Sequence, residues 1–409
     1  MNFSSENKYR IQTLPNGLKV KMIEKPNFQV FNVQLSVNFG SISKSCKDNT
    51  SIPGLAHLME HLLFHKKNRE ITSDFSNLGI DVNAYTTYNY TNFFYNIVDK
   101  DRKVFKKALE YLFDLVSKPY FDDDQVKKEA QIINSEIKLT QDDLDSELYM
   151  EFLNKLYPGT PLGYDILGTP DTLKQITNEK LIQFHNEFYQ PSNMILYVCG
   201  PMSLNELSKI LNLIDLPKKG SNQLKNQEYY YVPDLVQDKL PENKLTKLVY
   251  GWSLPNLKLD YRESLIFSLF LENMLGKRSH FFHRMFNEGI INDDFYYEFI
   301  VEKNFTVIFF SCLTEFPEKI TNTTLETFHQ IKISEEKLKI TIKNFIGKYI
   351  QTFDSIDELS TLENDGKFHL EDAINSLKIV DNLEVGEVKE VAEKVLRQSE
   401  FATAWKLIS

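Results

Sequence analysis

Gly54-Leu55-Ala56-His57-Leu58-Met59-Glu60-His61-Leu62-Leu63-Phe64 opens after a glycine and repeats its apolar residues at helical spacing, so it reads as a helix. Within it stands the pattern H-x-x-E-H. Positions i and i+4 of a helix share a face, so His57 and His61 can reach one metal ion, with Glu60 beside them. A hydrolytic zinc takes three protein ligands and keeps one position for water. The third ligand must therefore come from elsewhere, and Glu136, 75 residues beyond His61, is the leading candidate.

Zinc lowers the pKa of a water it binds towards about 7, and a carboxylate beside that water can take its proton and pass it to a leaving amine. Glu60 suits this role as general base. Glu129 stands seven residues, or two helical turns, before Glu136, so it shares that residue's face and could orient the site or assist proton transfer. His65, four residues past His61, would extend the helix face. It reads as structural or surface, because two histidines and one glutamate already complete a site.

Around this helix the chain alternates strands and helices. Leu18 to Met22 and Phe31 to Phe39 alternate as strands, and Asp81 to Val98 is rich in Tyr, Thr, Phe and Val. Helices are expected from about Arg102 to Val116 and from about Asp123 to Leu139, the second carrying the apolar stripe Val126, Ala130, Ile133 and Ile137. A helix, a Tyr189-Gln190-Pro191 break and a strand from Met194 to Cys199 follow. The same order closes the chain, with a helix over Val385–Leu396 and a strand over Phe401–Leu407. Without a G-x-G-x-x-G loop, this favours mixed α+β layers in two related domains.

Length agrees, since 409 residues exceed one ordinary core. The expected division is a metal-binding domain over 1–215, a linker over 216–244 and a related domain over 245–409, with a short strand at Tyr229 to Val232. Hydrophobic residues at 42% and charged residues at 25% describe a folded globular chain. A formal charge of −10 disfavours nucleic acid as a partner. Met1 to Arg10 lacks the apolar core of a secretory signal, and no run is long enough to span a membrane. Cys46, Cys199 and Cys312 are odd in number and form no C-x-x-C pair, which fits a reducing cytoplasm.

These residues resemble the pitrilysin-type (insulinase-like) M16 metallopeptidases, whose signature is H-x-x-E-H with a glutamate about 75 residues downstream. Gly40-Ser41, Asn83-Ala84-Tyr85-Thr86 with Thr91, and Leu162-Gly163-Tyr164 through Leu167-Gly168-Thr169 also follow the family's pattern. The resemblance implies two similar α+β domains, each a mainly antiparallel sheet backed by helices. It implies one Zn2+ per chain, held by His57, His61 and Glu136, with Glu60 as general base and Glu129 as the auxiliary acid. It further implies that the strand with Asn83 and Ala84 is a sheet edge that pairs with an extended peptide substrate.

The second half departs from the pattern. Active members commonly bring an Arg and, seven residues later, a Tyr to the substrate carbonyl from a domain without zinc. Here Arg278 leads to Met285 and Arg284 to Ile291, while Tyr296 and Tyr297 lead back to Gly289 and Ile290. Arg284, Tyr296 or Tyr297 could replace that pair only through a different geometry. The expectation is a zinc endopeptidase that cuts peptides or small unfolded proteins as the zinc-bearing subunit of a heterodimer. A paralogous subunit then supplies the pair, a homodimer being the other assembly. The alternative is a peptide-binding or assembly subunit that keeps the fold without turnover.

Overall fold

A computed structural model describes residues 8–98, 101–218, 239–254, 257, 259–302, 305–352, 355, 356, 358, 370–397 and 400–408. The expected linker lies largely outside these residues, as does the expected strand at Tyr229 to Val232. The described chain forms two compact units. The first is built mainly from residues up to 139 and 164–218, and the second mainly from 140–163, 239–351 and 372–408.

The first unit begins with strands β1 (Lys8–Thr13), β2 (Lys19–Glu24) and β3 (Val30–Val37), followed by helix α1 (Leu55–Leu63). A two-stranded ribbon, β4 (His65–Lys66) and β5 (Arg69–Glu70), leads into α2 (Ile71–Ser76). The hairpin β6 (Val82–Thr86) and β7 (Thr91–Val98) precedes helices α3 (Arg102–Ser117) and α4 (Asp123–Asp142). After α5 (Leu144–Leu156) come α6 (Pro170–Leu173), α7 (Asn178–Phe188), β8 (Met194–Gly200) and α8 (Leu204–Leu211). The sheet order is β1-β2-β8-β3-β7-β6, so β6 is an outer strand. Only the β2–β8 pairing is parallel.

Strand β3 shows how the sequence sets this sheet. Phe31, Val33, Leu35 and Val37 point one way and are buried in the core with Phe93, Tyr95 and Ile97 of β7. On the opposite face Asn32 donates to Asn96 at 2.8 Å, Gln34 to Asn32 at 2.9 Å, Ser36 to Asn92 at 2.8 Å and Asn92 to Gln34 at 3.0 Å. Amide partners in this ladder satisfy the groups that burial takes from water.

The second unit starts at β9 (Thr246–Ser253), then α9 (Tyr261–Leu275), α10 (His280–Asn287), and the hairpin β10 (Tyr296–Val301) and β11 (Thr306–Thr314). Helices α11 (Pro317–His329), α12 (Glu335–Thr352), α13 (Leu370–Asp381) and α14 (Val385–Leu396) precede β12 (Glu400–Leu407). Its sheet, β10-β11-β9-β12, is antiparallel throughout. In β11, Ile308, Phe310 and Cys312 enter the core formed with α9 and α14. The alternate residue Phe309 meets Tyr149 and Phe152 of α5 at ring distances of 4.8 and 6.3 Å.

The architecture is thus the two-domain α+β fold anticipated, with mainly antiparallel sheets and helices. One boundary differs from the sequence division. Residues 140–163 fall in the second unit, because α5 covers the second face of that sheet. Lys155 Nζ donates to the Thr403 carbonyl at 3.0 Å, and Ser253 donates to the Tyr157 hydroxyl at 2.8 Å. No helix among the described residues is long and apolar enough to cross a membrane.

Candidate metal centre

The metal helix α1 starts without a side-chain cap. Gly54 takes φ +87°, and a Cβ there would stand 2.6 Å from the Leu167 carbonyl. Gly168, at φ +76°, answers it: a Cβ there would stand 2.6 Å from the Pro53 carbonyl. Both positions call for glycine, through backbone conformation and close approach. The loop around Leu167-Gly168 therefore seats the first turn of the helix that carries His57.

On α1, Leu55, Ala56, Leu58, Met59, Leu62 and Leu63 are buried in the core, which turns His57 and His61 together to the other side. Their rings lie 4.6 Å apart, edge to face. From α4, Glu136 places Oε2 3.2 Å from His57 Nε2 and Oε1 3.9 Å from His61 Nε2. Helix α4 can offer this residue because Val126, Ile133 and Ile137 anchor the neighbouring stripe, about a quarter-turn round the helix from Glu136. One donor atom each from His57, Glu60 and His61 also falls within 4.8 Å of the others. The cluster combines two imidazoles with carboxylates, the donor set of a hydrolytic zinc.

The two carboxylates are held differently. Glu60 is buried, accepts a 2.6 Å hydrogen bond from the Thr86 hydroxyl on β6, and stands 3.6 Å from His57 Nδ1. Thr91 on the partner strand lies 3.4 Å from Thr86 and donates to the Phe39 carbonyl at 2.8 Å. Glu136 is less enclosed, and the ε nitrogens of both histidines face it. Burial opposes a charge on His57, but hydrogen bonds and charge from Glu60 and Glu136 outweigh it and raise the imidazole pKa above 6.5. A proton and a metal ion therefore compete for the same nitrogen lone pair.

Glu129, also buried, faces the far side of His61, with Oε2 3.1 Å from Nδ1. A carboxylate on Nδ1 fixes the tautomer that leaves Nε2 free to bind metal. The other Glu129 oxygen lies 3.0 Å from His65 Nε2. His65 does not extend the helix face, since α1 ends at Leu63 and His65 begins β4. Its contact with Glu129 had no signal in helical spacing. Thr86 ends the Asn83-Ala84-Tyr85-Thr86 pattern, but its bond to Glu60 depends on hairpin geometry.

Asn83 and Ala84 lie on β6, with Asn83 exposed and Ala84 half-buried. In the second unit, Arg284 pairs with Glu288 at 3.0 Å, and the Tyr297 hydroxyl donates to Glu272 at 2.7 Å. Tyr296 is 40% exposed on β10. Arg284 and Tyr297 thus have partners of their own.

The chain belongs to the M16 peptidase family. The model described as insulinase (peptidase family M16) matches residues 19–170, and that of the peptidase M16 inactive domain matches residues 175–345. The zinc protease YmfH of Bacillus subtilis is 27% identical over 372 residues, covering 84% of this chain and 83% of that protein. A mitochondrial-processing peptidase subunit beta of Schizosaccharomyces pombe is 29% identical over 202 residues, 48% of this chain and 43% of its own length. The crystal structure of an M16-like peptidase from Alicyclobacillus acidocaldarius shares the fold with a TM-score of 0.85, at 21% identity and full coverage of both chains.

Proposed function

We propose that this chain is a zinc-dependent endopeptidase acting on peptides or small unfolded proteins. The observation that carries the reading is the convergence of His57 Nε2 and His61 Nε2 on Glu136, with Glu60 fixed beside them by Thr86. One Zn2+ held by His57, His61 and Glu136 would polarise the scissile carbonyl and acidify the attacking water. Glu60, already oriented, takes the proton of that water and delivers it to the leaving amine. Glu129 holds His61, which supports the orienting role over direct proton transfer. The outer strand β6 offers Asn83 and Ala84 for main-chain pairing with an extended peptide.

The missing Arg/Tyr pair supports a heterodimer in which a paralogous M16 subunit binds the oxyanion, with a homodimer as the other assembly. The S. pombe relative, named as a subunit beta, is in keeping with subunit assembly. Three free cysteines, two of them buried, agree with a reducing cytoplasm. The same missing pair favours a second reading, a peptide-binding or assembly subunit without turnover.

The test is to load the purified chain with zinc, alone and with its genomic neighbour of similar length, and to follow cleavage of unstructured peptides. Zinc-dependent cleavage that Glu60→Gln abolishes supports the enzyme, and cleavage by the chain alone removes the need for a partner. A full complement of zinc with no cleavage in any mixture supports the binding subunit. Absence of bound zinc in the unaltered chain sinks the peptidase reading.

A further inference from the structure

The peptidase reading assigns parts to His57, Glu60, His61, Glu129 and Glu136 and leaves two neighbours without one. His65 and Glu70 face each other across the β4–β5 ribbon that follows the metal helix. His65 Nδ1 lies 2.5 Å from Glu70 Oε1, and its Nε2 lies 3.0 Å from Glu129 Oε1. The second oxygen of Glu129 lies 3.1 Å from His61 Nδ1. Glu70, His65, Glu129 and His61 therefore form one continuous line into the metal centre.

The outer end of this line rests on a built frame. Lys66 Nζ donates to the carbonyls of Leu115 at 2.9 Å and Lys118 at 2.8 Å, at the end of α3, where helix carbonyls lack partners of their own. Arg69 reaches Asp74 at 3.0 Å and Asp114 at 3.3 Å. These contacts tie both strands of the ribbon to the helices beside it. Glu70 and His65 are held between them.

We propose that His65, braced by Glu70, is a positioning residue for the metal centre. It occupies Oε1 of Glu129, so that Oε2 stays on Nδ1 of His61 and Nε2 of His61 stays turned toward Glu136. Glu129 is only 5% exposed, and so buried a carboxylate needs a partner for each oxygen. Without His65 one oxygen loses its partner, and the carboxylate can turn away from His61. Partners that orient a metal-binding histidine are typically worth 10- to 100-fold in metal affinity. His65 acts one hydrogen bond further out, so its removal is expected to cost about three- to tenfold.

This inference rests on the zinc reading, and the experiment separates the two. Zinc affinity of the full chain is measured by chelator competition for His65→Ala, His65→Gln, Glu70→Gln and Glu129→Gln. The absorption spectrum of each cobalt-loaded chain and the melting of each metal-free chain are recorded in parallel. His65→Ala is expected to weaken zinc about three- to tenfold and to shift the cobalt bands, and Glu129→Gln to weaken zinc further. His65→Gln, which still donates to Glu129, recovers part of the loss. In the Glu129→Gln background His65→Ala adds little, because the two act through one path.

If His65→Ala folds poorly, Glu70→Gln decides by the same two metal readouts. Unchanged zinc affinity and cobalt spectrum in both His65→Ala and Glu70→Gln, beside a clear loss in Glu129→Gln, overturn the positioning role and leave the zinc reading intact. Zinc binding that is indifferent to His57→Ala and His61→Ala overturns both.

Discussion

The two units repeat one plan with different chemistry. Each runs strand, helix, short helix, hairpin, two helices, and later a helix and a returning strand. The strand order β6-β7-β3-β8 of the first becomes β10-β11-β9-β12 in the second. In the first, the helix after the leading strand carries Glu60-His61: Glu60 accepts from Thr86 of the hairpin, and His61 meets Glu129 of α4. In the second, α9 carries Glu272-Asn273: Glu272 accepts from Tyr297 of the hairpin, and Asn273 donates to Thr341 of α12 at 3.2 Å. A neutral amide–hydroxyl contact there replaces a cluster of imidazoles and carboxylates. The plan itself does not require these buried groups, which cost desolvation.

The sharpest way to break this comparison is to change the corresponding carboxylates. Glu60→Gln is expected to lower peptide cleavage by about a hundredfold to ten-thousandfold while zinc stays bound. Glu272→Gln is expected to leave both cleavage and zinc content unchanged, its carboxylate lying on an exposed residue. A comparable loss of cleavage in both would mean that the second helix also serves the reaction.

A smaller effect separates the helix starts. Gly54 begins α1 in the left-handed region against the Leu167 carbonyl, whereas Asp260 begins α9 with a capping box shared with Glu263. Gly54→Ala should cost about 2–3 kcal/mol in chemical denaturation, and Asp260→Ala about 1 kcal/mol. Equal costs would show that the 167–168 loop gives way and does not hold α1.

Acid distinguishes the units most gently. His185 in the first unit is buried, stacks on Tyr189 and lies 2.8 Å from the Val116 carbonyl. Burial, only partly offset by that carbonyl, lowers its pKa from 6.5 to about 4. Between these values the unfolded chain binds the extra proton, so stability falls as pH drops from about 6.5 towards 4. The loss from this group should reach about 2 kcal/mol by pH 5. His280, His283 and His329 of the second unit are exposed. Melting of His185→Gln across this range should show a shallower acid slope, and an unchanged slope removes His185 as the cause.

Much of this plan was legible because period and spacing are local. Helix α1 and helix α14 fall where apolar spacing placed them, and Glu129 and Glu136 both reach the histidines of α1, as their two-turn spacing on α4 allows. The stretch from Asp81 to Val98 proved to be a hairpin whose turn carries no glycine. Thr87 builds it instead, its hydroxyl accepting from the amides of Asn89 and Tyr90 at 3.2 and 3.1 Å. Helix α5 was missed because its residues face a sheet that begins about a hundred residues later. His65 misled for a related reason, since four-residue spacing continued past the true end of α1.

The amide ladder on β3 and β7 bears on how the site is assembled. Asn32 pairs with Asn96 and Ser36 with Asn92 only in the native register. A slip of one residue would set Asn32 opposite Tyr95 or Ile97 and turn the apolar set of one strand onto the polar face. The ladder thus works as a ruler that makes the misaligned sheet costly. Because β7 also fixes β6, the alignment check made by Asn32 and Asn92 reaches Thr86, and through it the orientation of Glu60.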